Sequence, residues 1–67
     1  MADDPILFRA RAAAERANAE SANLDNVRER AERAAKAWTE MADRAEHVLR
    51  QREKREAATA AARVLAG

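Results

Sequence analysis

Sixty-seven residues with 13 basic and 12 acidic side chains, a net charge of +1 and no cysteine leave room for one domain at most. They exclude a disulfide frame and a thiolate metal site, and they predict neither strong nucleic-acid attraction nor the behaviour of an acidic tail. Twenty residues are alanine and only 12 are larger apolar side chains. Burying a large apolar side chain contributes roughly 1.5–3 kcal/mol, against about 1–2 kcal/mol of chain entropy per ordered residue, so a lone monomer is expected to be marginal and to need a second copy or a partner.

The first predicted element is a helix over about 5–22. Asp4 can cap it, and Pro5 at its first position gives up only an amide that would be unpaired anyway. The acidic start (Asp3, Asp4) and the short apolar run Ile6–Phe8 suit neither a signal peptide nor a membrane span, so a cytoplasmic location with no membrane partner is expected.

The run Ser21-Ala22-Asn23-Leu24-Asp25-Asn26 follows, and four of its six side chains are short polar groups that favour caps and turns. A turn is predicted at about 22–25. Asn23 is one candidate cap for the next helix; Asn26, with Glu29 three residues on, is another.

A second helix is predicted over about 25–66, with Gly67 as its stop and no proline or glycine inside it. Opposite charges recur at spacing four, as in Arg28/Glu32, Glu29/Arg33, Glu32/Lys36, Lys36/Glu40, Glu40/Arg44, Glu46/Arg50 and Arg52/Glu56. Each such pair is worth about 0.2–0.5 kcal/mol in an isolated helix.

One apolar stripe threads both elements in alternating steps of four and three: Ile6, Ala10, Ala13, Ala17, Glu20, Leu24, Val27, Ala31, Ala34, Trp38, Met41, Ala45 and Val48. That period belongs to helix packed on helix, so the fold class is all-α. Folding about Asn23 makes a helical hairpin, short helix then long helix, in which Ile6 meets Met41 and Ala42, Ala10 meets Trp38, Ala13 meets Ala34 and Ala35, and Ala17 meets Ala31. The alternative is a single long helix of about 90 Å in a coiled coil. The hairpin is preferred, because Glu20 interrupts the seam and Leu and Ile are scarce. Dimerisation into an antiparallel four-helix bundle follows as an expectation. Beyond Val48 the seam reaches Arg52 and Arg55, and the run Arg50–Glu56 is charged on all sides before alanine returns at Ala57 and ends in Val64-Leu65.

The segments Arg9-Ala10-Arg11-Ala12, Asn26-Val27-Arg28-Glu29-Arg30 and Ala37-Trp38-Thr39-Glu40-Met41-Ala42-Asp43-Arg44 resemble a set of small uncharacterised bacterial helical-hairpin proteins, over about Phe8 to Glu46. The resemblance implies a short helix followed by a longer one. It brings no activity with it.

The residues that carry chemistry elsewhere are sparse here. His47 and Asp43 share a helical face, but a di-iron bundle needs Glu three residues before His and Arg44 stands there. Ser21, the only serine, reads as a turn residue, and the only glycine is the last residue, so no phosphate-cradling loop exists. Trp38 and Met41, at seam spacing, read as core. Phe8 lies off the seam beside Ala12 and Ala19, as an intersubunit contact or a partly buried residue. No catalytic residue, metal or cofactor is expected, and the chain is read as not an enzyme.

The expected function is protein–protein interaction by a structural or adaptor protein. Self-association is assigned to Ile6, Phe8, Leu24, Val27, Trp38, Met41 and Val48, and a possible surface for an unknown protein partner to Arg50, Arg52, Arg55, Val64 and Leu65. One alternative is a nucleic-acid-associated regulator using the basic 44–55 surface. The other is a small inhibitory helix inserting Val64-Leu65 into a larger partner.

Overall fold

The computed structural model describes residues 4–67; Asp3, read above as part of the acidic start, lies outside them. Two helices follow one another, α1 (Pro5–Ser21) and α2 (Asp25–Ala66), and they pack side by side as a helical hairpin. The single continuous helix is thereby set aside. The long dimension is 64 Å, with 19 and 13 Å across it. Forty-two residues of α-helix span about 63 Å at 1.5 Å per residue, so α2 alone sets the length.

α1 starts as the sequence dictates. The Ile6 N–H donates to Asp4 Oδ1 at 3.0 Å, Pro5 occupies the first turn, and the Phe8 N–H already reaches the Asp4 carbonyl at 3.0 Å. Its end is tightened by the Ala22 N–H to the Ala19 carbonyl at 3.3 Å, while Ser21 Oγ donates to the Asn18 carbonyl at 3.2 Å.

The turn needs no left-handed residue; among the described residues none has positive φ, which explains how a chain without an internal glycine reverses here. Neither Asn23 nor Asn26 caps α2. Leu24 stands at the cap position with no side-chain bond, and the corner is held instead by Arg28, whose Nη2 donates to the Ala22 carbonyl at 3.0 Å while Nη1 lies 3.4 Å from Asp25 Oδ1. One guanidinium satisfies an orphan carbonyl of α1 and pairs with the first-turn acid of α2, so an asparagine cap has less to add.

The core between the helices is alanine. Ala12 and Ala19 of α1 and Ala31, Ala35, Ala42 and Ala45 of α2 are buried, Ala42 completely. Phe8 of α1 and Trp38 and Met41 of α2 are half-buried at its margin. The Phe8 and Trp38 rings lie 5.8 Å apart at 33°, within the range of favourable tilted aromatic pairs.

This rotates α1 relative to the register expected from its stripe. Ile6, Ala10, Ala13 and Ala17 are exposed, and the inward face is Phe8, Ala12, Ala19. Two alanine stripes compete on α1. The one beginning at Phe8 wins because it places an aromatic ring on Trp38 and points Arg9 and Arg16 at polar groups of α2. The α2 half of the stripe is better preserved: Ala31 and Ala45 are buried and Ala34, Trp38 and Met41 half-buried, while Leu24, Val27 and Val48 remain exposed.

Within α2 the spacing-four charges form no ion pairs with one another among the described residues. The ion pairs formed among the described residues are Arg9 with Asp43 and Glu46, and Arg28 with Asp25. Exposed pairs gain little over hydration and cost side-chain freedom.

Candidate interaction surfaces

The two edges of the hairpin differ in chemistry because residues seven apart fall on one line of a helix. On one edge Arg9 Nη2 donates to Asp43 Oδ1 at 3.0 Å and also to Glu46 Oε1, and Arg16 Nη2 donates to Thr39 Oγ1 at 2.9 Å. Thr39 Oγ1 in turn donates to the Ala35 carbonyl at 2.9 Å. A shallow groove on this side is lined by Arg16, Glu32, Lys36, Thr39 and Glu40. The sequence reading missed this polar clasp. Its signal was present: arginines seven apart on α1, and acceptors at 39, 43 and 46 on one line of α2, running antiparallel.

The other edge is apolar. Phe8, Met41, Ala45 and Val48 line a groove with Arg44 at its rim. Three of the residues assigned to self-association therefore stand together here, and Trp38 joins them through Phe8. Leu24 and Val27 are exposed near the turn, and Ile6 points outward from α1 at 81% exposure.

α1 is short, so α2 outruns it. The contact of Arg9 with Glu46 puts Pro5 level with the region of Arg50, and every residue from His47 onward is exposed. The stretch 50–66 is thus a bare helical arm. Arg52, Arg55, Glu56, Thr59 and Arg63 line one side of it, while Val64 and Leu65 stand at 80% and 88% exposure near its end. Arg50, Arg52, Arg55, Val64 and Leu65 are all on this arm.

Asp43 is engaged by Arg9 rather than by His47, and no group of three or more metal-ligating residues forms among the described residues. No helix there is long and apolar enough to cross a membrane. No protein-family model matches the chain, and neither a curated protein nor a solved structure matches it significantly.

Proposed function

We propose that this chain is a non-enzymatic self-associating protein whose work is protein–protein interaction. One observation carries the reading: the chain exposes 5570 Å², whereas a compact folded monomer of its 7.4 kDa mass exposes about 4,200 Å². The excess of about 1,400 Å² per chain would place a dimer interface within the range of roughly 2,000–5,000 Å² typical of obligate homodimers. The exposed large apolar residues Ile6, Leu24, Val27, Val48, Val64 and Leu65 give that surface the right character.

Sedimentation equilibrium across a wide concentration range tests it. A mass of two chains or more at micromolar concentration is expected; a monomer at every concentration with undiminished helicity would sink the reading.

A second reading rests on the arginine-lined side of the arm. Arg52, Arg55 and Arg63 on one exposed helix side suit phosphates, although Glu56 sits among them. Affinity for duplex DNA that falls steeply with salt would support a nucleic-acid-associated regulator, and no binding at low salt would remove it.

A further inference from the structure

We infer that the apolar groove and the arginine-lined side of the arm form one continuous docking surface for an acidic amphipathic helix of another protein. The inference goes beyond self-association and does not depend on it. The groove is lined by Phe8, Met41, Ala45 and Val48, with Arg44 at its rim. From Val48 the same line of α2 runs on through Arg52, Arg55, Thr59 and Arg63, in steps of four, three, four and four. Helical steps of three and four keep to one side, so the groove opens directly onto the arginines. From Met41 to Arg63 the surface is about 33 Å long at 1.5 Å per residue, room for about six turns of a second helix.

Charge identifies what fits it. Arg44, Arg52, Arg55 and Arg63 are exposed, and none of them enters an ion pair among the described residues. Of the eight acids in α2 only Glu56 borders this line. Asp43 and Glu46 hold Arg9 on the other edge, Glu32 and Glu40 line the groove there, and Asp25 pairs with Arg28. Glu29 and Glu53 project well to one side of the line. α1 adds Arg11 and Glu15 to this side, one of each sign. α2 therefore keeps its acids away from the apolar groove and its continuation.

A second copy does not suit this surface, because a twofold contact would set arginine against arginine. A nucleic-acid backbone would meet the arginines and leave Phe8, Met41 and Val48 uncovered. An amphipathic helix with carboxylates beside its apolar stripe satisfies both parts. Guanidinium groups take carboxylates in paired hydrogen bonds. The groove would supply affinity, and the exposed arginines would supply orientation and rate of encounter.

Two fluorescein-labelled peptides of about 22 residues, the length of the surface, serve as probes. One carries leucines at helical spacing in its first half and glutamates in its second; the other has the reverse order. Each is titrated with the full chain by fluorescence anisotropy at low salt, while sedimentation gives the mass of the same samples. At least one is expected to bind, and its analogue with lysine for glutamate is expected not to. Arg52→Glu with Arg55→Glu should weaken binding at least about tenfold. Arg50→Glu with Lys54→Glu changes the net charge equally on the far side of the arm and should weaken binding no more than about threefold. All four side chains are exposed on the bare arm, so neither variant disturbs the hairpin. Equal losses from the two pairs would overturn the surface, as would no binding of either peptide. Tighter binding to a DNA duplex than to the peptides at the same ionic strength would overturn the choice of a protein partner. A monomeric mass with peptide bound supports this docking and removes self-association alone.

Discussion

Replacing Ala42 by leucine tests whether alanine at the seam is required by space. Ala42 is 0% exposed, at the centre of a core whose other buried members are also alanines. Alanine and leucine have similar helix propensities, so the substitution leaves α2 itself nearly unchanged. Three added carbons would gain about 2.4 kcal/mol if the core could take them, at about 0.8 kcal/mol each. Ala42 is already fully covered by its neighbours. The helices would have to separate, which loosens Ala12, Ala19, Ala35 and Ala45 together and opens the Phe8–Trp38 contact. Overpacking of this kind costs about 1–3 kcal/mol net. In a domain of this size each kcal/mol moves the melting midpoint by about 4–8 °C, so a fall of about 5–20 °C is expected. Circular dichroism melts at one fixed protein concentration measure it, with Ala37→Leu on the exposed side of the same helix as the control, expected within about 0.5 kcal/mol of the parent. An Ala42→Leu protein that melts at or above the parent would show that the helices are not closely packed, and would refute the argument.

Three further outcomes follow from the same geometry. Trp38→Ala should destabilise by about 1.5–3 kcal/mol in urea titrations, below the usual 3–5 kcal/mol for a fully buried tryptophan because the ring is only half-buried. Asp4→Ala should cost about 1 kcal/mol through the lost bond to the Ile6 N–H, with amide exchange rising first at the start of α1. Arg9→Ala should cost no more than about 1 kcal/mol, since its side chain is 48% exposed, and the difference from the parent should shrink in 1 M salt, on the order of full screening.

Several elements could be read directly from the residues. Asp4-Pro5 announces the start of α1 by chemistry that works within one turn, and the polar cluster from Ser21 announces the reversal. The α2 seam is marked by Trp38 and Met41, large residues among alanines. The rotation of α1 was not readable from its own pattern. Ala10, Ala13 and Ala17 on one side are nearly equivalent in size and hydropathy to Ala12 and Ala19 on the other, so periodicity alone cannot choose. The choice is made by groups distant in sequence: the ring of Trp38 and the acids Asp43 and Glu46. Likewise the asparagines near the turn are plausible caps until Arg28 is seen to hold the Ala22 carbonyl from six residues away.

The same ambiguity bears on what the protein is built to do. A helix that needed only one partner would have one apolar stripe and a polar back. α1 has two stripes and one of them is unused within the chain, while α2 offers an arm with no helix against it. Most helical stability in proteins comes from the packing of an apolar face. The surplus stripe and the surplus arm are both left unpacked in a single copy. Neither meets a second helix within the chain. The self-association proposed above would cover apolar surface that a single copy leaves in water.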